Sequence, residues 1–477
     1  MAVIKSNKSK ICSTLLSVMN VLFIAFFLIW VSQNWNSQEV LYDYNARLFP
    51  WICGLICIQM ASFRFKKVPF YDFGLWFVAI SYLFMFGYLF RDVFALESGL
   101  LWNPIVNFED SEIFHAYIFI MLSLELFSVG YLIFYRRDNV LKKDNLKKIV
   151  PDERLYSIGI ILVLIGGIAK LINDAEIIFF MQSVNSYSVY SEAVSSGIWD
   201  DLAYLMLPGI FFIFFSGCIK ERTKKTIFII VLTYLFCIMI LTGSRKIQIF
   251  SILSLFLGYE FSLEKRHLSI RRIIIYVLLA IITLNIVITI RDYRFDLASI
   301  GPVLVEKLFS FNLFENVLGE MLAETGITLL SVASIIKLVP NTMSYQYGLT
   351  YLRTLPSFLP IGWLIGDFFN LASSTYVINS YSRIPAGSSF IGDLYWNWGY
   401  WGGVFAAFFC GVLICKLVQI NSKSNTRKSC AMYFSIFSQL IILVRSELID
   451  VYRPIIMLII VVFVFEQLKI TIRRLEK

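Results

Sequence analysis

Histidine is almost absent from this sequence of 477 residues. The two histidines, His115 and His267, stand far apart, and His267 falls in a predicted cytoplasmic loop. A histidine-based metal centre and a Ser-His-Asp triad both need a histidine beside other reactive groups, so neither is predicted and no metal or cofactor is expected. Phosphate-binding and dinucleotide-binding fingerprints are also missing, which argues against the use of a cytosolic nucleotide.

Charge is scarce as well. Only 16% of the residues are charged, whereas 58% are hydrophobic, and the mean hydropathy is +0.73. These values exclude a soluble globular protein of this size. Apolar runs close to the roughly 20 residues that cross a bilayer recur along the chain, without the alternation of a β-barrel. The sequence therefore predicts an all-α, polytopic integral membrane protein.

The apolar runs predict about twelve transmembrane helices in one domain over residues 1–477. Lys5, Lys8 and Lys10 precede the first run and place the N-terminus in the cytoplasm by the positive-inside rule. An even number of spans then returns the C-terminus to the cytoplasm. The predicted spans are Ile11–Val31, Leu48–Phe63, Phe70–Phe90, Phe114–Tyr135, Leu155–Ile172, Leu202–Ile219, Thr226–Thr242, Ile247–Phe261, Ile273–Ile290, Tyr400–Val418, Ala431–Val444 and Ile455–Leu468.

The net charge of +9 follows from this topology. Most lysines and arginines fall in the predicted cytoplasmic loops, so the charge indicates membrane orientation and no nucleic-acid partner is expected. Lysine outnumbers arginine on the cytoplasmic side, but arginine predominates outside, where topology disfavours any cation. That contrast suggests an anion-binding role for the outer arginines.

Residues 291–399 form a large extracytoplasmic loop between the ninth and tenth predicted spans. Glu306–Phe314 and Gly319–Val339 have helical periodicity but carry charges, so they are interpreted as interfacial or re-entrant helices. Pro340 ends the second of them, and prolines and glycines between 355 and 366 predict irregular backbone. Such backbone is tolerated at membrane depth only where it lines a cavity.

Several outer arginines are candidate phosphate ligands. Arg245 lies in a very short turn, Gly243-Ser244-Arg245, near the hydrocarbon boundary, where it either reaches lipid headgroups or binds a diphosphate through two parallel hydrogen bonds. Arg291 and Arg294 flank Asp292 and form either an interfacial ion-pair cluster or a second phosphate site. Arg353 and Arg383 are grouped with Asp393, and Arg383 precedes the flexible segment 385–389.

Two further charged groups stand out. Glu320 and Glu324 are four residues apart on one helical face within an apolar stretch, where a carboxylate is either a general base or part of an exposed face. Arg445, Glu447 and Arg453 lie with Asp450 in the short outer turn before the last span. They are interpreted as a cavity wall facing the large loop, with mutual ion pairs as the alternative.

Four features together resemble a known family. They are the pattern of spans, the late proline-rich outer loop, the turn Leu241-Thr242-Gly243-Ser244-Arg245, and the segment Gly392-Asp393-Leu394-Tyr395-Trp396-Asn397-Trp398-Gly399-Tyr400-Trp401-Gly402-Gly403. They are similar to Wzy-type polymerases of oligosaccharide repeat units, the O-antigen and capsule polymerases of bacteria. The resemblance covers most of residues 226–418. It also implies a membrane fold like that of glycosyltransferases of the C type.

The resemblance implies a reaction at the outer face of the bacterial cytoplasmic membrane. A glycan moves from undecaprenyl diphosphate to a hydroxyl of an incoming lipid-linked repeat unit, with membrane lipids and a chain-length regulator as expected partners. Arg245, Arg291, Arg294, Arg353 and Arg383 would neutralise the diphosphate, and Glu320, Glu324 or Asp393 would take the acceptor proton. The related ligases are expected to use a histidine in the large loop, which this chain lacks.

Two alternatives remain open at this point. Another membrane glycosyltransferase that uses lipid phosphosugars would present the same outer cations. A polysaccharide flippase or transporter would more often show internal repeats and polar interruptions near the middle of several spans. Here the spans are mostly uninterrupted and the polar residues concentrate outside them, which disfavours transport.

Overall fold

A computed structural model describes residues 2–37, 39–96, 104–139, 150–184, 198–242, 246–263, 313–359, 362–381, 387–422 and 426–475, together with 141, 286, 289, 302–303 and 305. Within these residues the chain forms helices and no strands. The α-helices, in chain order, are α1 (Ala2–Asn34), α2 (Leu41–Phe65), α3 (Phe73–Val93), α4 (Asp110–Phe134), α5 (Glu153–Val184), α6 (Ile198–Ala203), α7 (Met206–Ser216), α8 (Glu221–Thr242), α9 (Lys246–Ser262), α10 (Leu313–Leu338), α11 (Leu349–Thr354), α12 (Gly362–Asn370), α13 (Ser374–Tyr381), α14 (Phe390–Ser422), α15 (Arg427–Leu440) and α16 (Leu448–Leu475).

Nine stretches among the described residues are long and apolar enough to cross a membrane. All but one overlap a predicted span, which confirms the prediction of a polytopic helical membrane protein. The exception is Val317–Leu338, in the region interpreted as re-entrant or interfacial helix. The number of twelve spans stays a prediction, because the predicted span Ile273–Ile290 lies almost entirely outside the described residues.

Local sequence signals explain several helix starts. The side chain of Asp72 accepts a hydrogen bond from the Gly74 amide and caps α3, which begins three residues after the predicted start of that span. Glu109 and Glu112 form a reciprocal capping box at the start of α4. The Thr426 hydroxyl accepts from the Ser429 amide and caps α15. Each cap satisfies amide groups that have no partner within their own helix.

The contacts divide the chain into two compact units. Unit 1 comprises Met1–Arg137, Leu322–Tyr347 and Ile391–Leu417, and unit 2 comprises Asp138–Met321, Gly348–Phe390 and Val418–Lys477. The division falls within α10 and α14. The single transmembrane domain and the outer loop over 291–399 stay predictions.

In unit 1, glycines allow the backbones of neighbouring helices to come into direct contact. A side-chain carbon added at Gly130 of α4 would lie 2.2 Å from the carbonyl oxygen of Phe408 in α14, and one at Gly411 of α14 would lie 2.2 Å from that of Phe127. Gly87 of α3 meets the backbone of Gly326 in α10 in the same way. Small residues at such crossings are typical of membrane helix packing, which relies on close van der Waals contact.

Unit 2 has its own aromatic and glycine-mediated core. Gly159 of α5 faces Gly209 of α7, and Phe215 of α7 stacks on Phe434 of α15 with ring centroids 5.4 Å apart. At the end of α7, the Arg427 guanidinium donates to the carbonyl oxygens of Phe215 and Val150. This packing holds α7 and α15 together, and a short 3-10 helix (Ile441–Arg445) connects α15 to α16.

Candidate active site

A charged cluster in unit 2 surrounds the start of α16. We call Lys246, Ser373, Ser374, Glu447, Asp450, Arg453 and Asp201 the charge cluster. The short 3-10 helix Ile441–Arg445 ends at Ser446, whose backbone is extended, and α16 begins two residues later. This bend brings Glu447, Asp450 and Arg453 together at the end of a helix whose remaining length is largely apolar.

Glu447 is the most enclosed charged residue of the charge cluster, with 3% of its surface exposed. One carboxylate oxygen accepts from the Ser373 hydroxyl at 2.5 Å, and the other accepts from the Ser374 hydroxyl at 2.9 Å and the Thr375 amide at 3.2 Å. Ser374 and Thr375 open α13, so the carboxylate also satisfies the N-terminus of that helix.

The surroundings of Glu447 change its affinity for a proton. Burial, followed by the negative charge of Asp450, raises the pKa of the Glu447 carboxyl to about 7, although the hydrogen bond from Ser373 and the positive charge of Lys246 act in the opposite direction. A carboxylate with a pKa near neutrality exchanges a proton readily under physiological conditions. Glu447 therefore has the properties of a general base.

Ion pairs surround this carboxylate. Lys246, the first residue of α9, lies 3.0 Å from a carboxylate oxygen of Asp450, and the Ser446 hydroxyl bonds to the same Asp450 side chain. Arg453 pairs with Asp201 of α6. Both ion pairs join the turn to residues outside it, Lys246 and Asp201. They are not the mutual pairs of the alternative, and the cavity wall stays a prediction.

Two other arginines named as candidates from the sequence lie in the described part of unit 2. Arg353 lies at the end of α11 and donates to the carbonyl oxygen of Leu371 at 3.1 Å, just before the serines that bond to Glu447. Arg445 ends the 3-10 helix and is half-buried. Arg445 is thus two residues from Glu447 in sequence, and Arg353 is linked to the residues before Ser373 by its hydrogen bond to Leu371.

The other predicted site residues are distributed differently. Glu320 belongs to unit 2, and Glu324 and Asp393 belong to unit 1. All three are buried, with 2%, 4% and 5% of their surface exposed, so the alternative of an exposed helix face does not hold for Glu320 and Glu324. Arg245, Arg291, Arg294 and Arg383 lie outside the described residues.

The aromatic segment at the start of α14 has a defined bend in unit 1. Gly399 has a φ of 68° and a ψ of −167°, a conformation that essentially only glycine adopts. The break leaves the carbonyl oxygens of Trp396 and Asn397 to accept from the amides of Gln346 and Tyr347, at 3.0 and 2.9 Å. Tyr347 is thereby fixed with 71% of its surface exposed.

The fold and the charge cluster together define an integral membrane protein whose enclosed, titratable carboxylate lies among cations at a helix end. The model of the family described as O-antigen polysaccharide polymerase Wzy matches residues 14–474, nearly the whole chain, and the chain belongs to this family. No curated protein and no solved structure gives a significant match. The resemblance predicted from the sequence is confirmed.

Sequence reasoning named Glu447 only as part of a cavity wall and missed its hydroxyl partners. Ser373 and Ser374 fall in the predicted outer loop, and nothing in their local pattern indicates that a carboxylate 73 or 74 residues further on binds them. Lys246 follows the noted Gly-Ser-Arg turn, but its partner Asp450 lies 204 residues away. No sequence pattern singles out Asp201 as a partner of Arg453.

Proposed function

We propose that this protein joins oligosaccharide repeat units linked to undecaprenyl diphosphate into O-antigen or capsular polysaccharide. The reaction takes place at the outer face of the bacterial cytoplasmic membrane, with both termini in the cytoplasm and with a chain-length regulator as a further partner. Membership of the polymerase family supports the reaction class. The enclosed Glu447 carboxylate, bonded to Ser373 and influenced by the charge of Lys246, is the observation that supports the proposed chemistry.

In the proposed step, an acceptor hydroxyl oxygen attacks the anomeric carbon of the donor glycan. The bond from that carbon to the diphosphate oxygen breaks, and its electron pair leaves with the lipid diphosphate. The acceptor proton passes to the Ser373 hydroxyl, which gives its own proton to Glu447. Ser373 serves as the relay because it is half-buried, whereas Glu447 is enclosed.

The cations have a separate role in this proposal. Negative charge develops on the departing diphosphate, and guanidinium groups stabilise it through paired hydrogen bonds. The proposed ligands are Arg245, Arg291, Arg294, Arg353 and Arg383, and Arg445, Glu447 and Arg453 line the cavity. Glu320, Glu324 and Asp393 compete with Glu447 as proton acceptors, and glutamine or asparagine variants at all four positions decide between them.

Deletion of the gene tests the proposed function. A strain without this protein should keep single repeat units on their lipid carrier and lose long polysaccharide, and a plasmid copy should restore the polymer. The units are measured by extracting lipid-linked oligosaccharides and determining their mass. Loss of the single units, or their confinement to the cytoplasmic leaflet, would contradict a polymerase and indicate an earlier transferase or a flippase.

Replacing Arg245 or Arg291 by alanine should lower polymer about 10- to 100-fold, because a hydrogen-bonded charge contributes roughly 1.5–3 kcal/mol. Single lipid-linked units should persist. Lysine should restore activity only in part, since it cannot form two parallel hydrogen bonds. Arg47→Ala is the control, because Arg47 is paired with Glu39 at an exposed site. Normal chain lengths in both alanine variants would exclude a diphosphate role for these arginines.

The rate of polymer formation should rise as the pH increases through about 7, because Glu447 must be ionised to accept a proton and its pKa lies near that value. Asp450→Asn removes a charge that raises this pKa and should move the midpoint to lower pH. Lys246→Met removes a charge that lowers it and should move the midpoint to higher pH. Initial rates with purified protein and lipid-linked repeat units give the profile. An identical midpoint in all three proteins would exclude Glu447 as the titrating group.

A further inference from the structure

An apolar surface faces outward in unit 2, on the segment made of α11, the 3-10 helix Leu355–Phe358 and the next residue. Four leucines at intervals of three or four residues share this surface, because residues at such intervals lie on one side of a helix. Between 41% and 61% of each leucine is exposed. We call Leu349, Leu352, Leu355 and Leu359 the leucine face.

The opposite side of the same segment is polar and buried. Thr350, Thr354 and Ser357 follow one another at intervals of four and three residues, and at most 3% of each is exposed. The Thr354 hydroxyl donates to the carbonyl oxygen of Thr350 at 2.9 Å. A helix at the surface of a water-soluble domain has the reverse arrangement, with its apolar side buried and its polar side exposed. The leucine face therefore indicates apolar surroundings.

The segment is too short to cross a membrane. From Leu349 to Leu359 it extends roughly 20 Å at most, given a rise of about 1.5–2 Å per residue, whereas the hydrocarbon core is about 30 Å thick. It belongs to the predicted outer loop over residues 291–399. A segment of this length with one apolar side is typical of helices that lie along the membrane surface.

The surroundings of the leucine face suit the boundary between lipid and water. Arg353 is half-buried, and its guanidinium donates to the carbonyl oxygen of Leu371 at 3.1 Å. An arginine at this boundary packs its apolar stem against hydrocarbon and keeps its positive charge near the lipid phosphates. On the neighbouring helices α12 and α13, Phe368 and Tyr376 are exposed as well, and tyrosine is enriched at membrane surfaces.

We propose that the leucine face lies in the hydrocarbon of one leaflet, against the acyl chains of phospholipids, with Arg353 at the level of their phosphates. The predicted topology makes this the outer leaflet. Leu371 precedes Ser373 by two residues, and the Ser373 hydroxyl bonds to Glu447, so the contact holds the charge cluster near the depth of lipid phosphates. The lipid contact does not depend on which reaction the charge cluster performs.

Photocrosslinking of the purified full-length protein in phospholipid nanodiscs tests the proposal. A benzophenone amino acid in place of Leu352 should attach to phospholipid acyl chains on irradiation, and mass spectrometry of the digested protein identifies the attached molecule. The same probe in place of Glu221 is the control, because Glu221 is exposed at the start of α8 in a predicted cytoplasmic loop. It should form no phospholipid adduct.

Three outcomes would overturn the proposal. The first is a folded protein with the probe at Leu352 that forms no adduct. The second is a crosslink only to a second copy of the chain. The third is a crosslink only to polyprenyl diphosphate added to the nanodiscs, which would indicate a groove for a particular lipid. The probe in place of Leu349 repeats the test if the first variant fails to fold.

A second measurement changes the leucine face beside the probe. With the probe at Leu355, Leu352→Asp should lower the yield of phospholipid adduct about tenfold, because a carboxylate is costly in hydrocarbon. Leu352→Met should keep the yield, since methionine is apolar and of similar size. Leu352 is 61% exposed, so both variants should elute as folded protein in size-exclusion chromatography. Equal yields in the two variants would contradict a contact with lipid chains.

Discussion

Replacing Glu447 by glutamine is expected to reduce polymer formation by about 100- to 10,000-fold, the range by which a positioned proton acceptor accelerates a reaction. Glutamine has nearly the same shape, and its carbonyl oxygen still accepts hydrogen bonds from Ser374 and the Thr375 amide. It cannot accept the proton of the acceptor hydroxyl. The protein should therefore remain in the membrane in normal amount while single lipid-linked units accumulate.

Glu466→Gln provides the matched control for this prediction. Glu466 lies on α16, the helix that begins directly after Glu447, but its carboxylate forms an exposed pair with Lys428 at 2.6 Å. Polymer is measured on gels of extracts from a deletion strain that carries each variant, and folded protein is measured by size-exclusion chromatography of a fluorescent fusion. Near-normal polymer in Glu447→Gln would show that the carboxylate only caps α13, because the amide retains that function.

The class of fold was predictable because hydrophobicity alone indicates it. A helix that faces lipid must be apolar over about 20 residues, and stretches such as Phe73–Val93 and Glu221–Thr242 satisfy this rule without reference to any other part of the chain. The re-entrant interpretation of Gly319–Val339 depended on Glu320, Glu324 and Lys337. In the structure both glutamates are buried, and Lys337 pairs with Glu112 at 3.0 Å, so these charges do not exclude a helix of spanning length.

The charge cluster was less predictable because its members are brought together by tertiary packing. Sequence patterns indicate contacts between side chains three or four residues apart on a helix. Arg453 and Asp201, however, are 252 residues apart in sequence and form an ion pair. The sequence shows only that several charged residues are concentrated just before the last predicted span. Glu125 differs, since an acidic residue within the predicted span Phe114–Tyr135 is a signal in itself, although it is not among the predicted site residues.

The pair of Arg453 and Asp201 yields the second large expected effect. Asp201 has 5% of its surface exposed, and the Arg453 side chain has 24%. Removing one partner of a buried ion pair leaves an uncompensated charge at a cost of about 3–5 kcal/mol. Arg453→Gln alone should therefore reduce the folded protein recovered from membranes severely, with polymer falling in proportion.

Adding Asp201→Asn to Arg453→Gln should restore both the folded protein and the polymer, because the double variant buries two neutral amides and leaves no unpaired charge at this position. The exposed pair of Lys428 and Glu466 is the control: its single variants should lose less than about 1 kcal/mol. Size-exclusion chromatography of the fluorescent fusion measures the amount of folded protein, and gels of the extracts measure the polymer. A double variant that folds normally but makes no polymer would contradict a purely structural role for Arg453. It would place Arg453, or the Asp201 carboxylate that the double variant also removes, among the groups that act on the substrate.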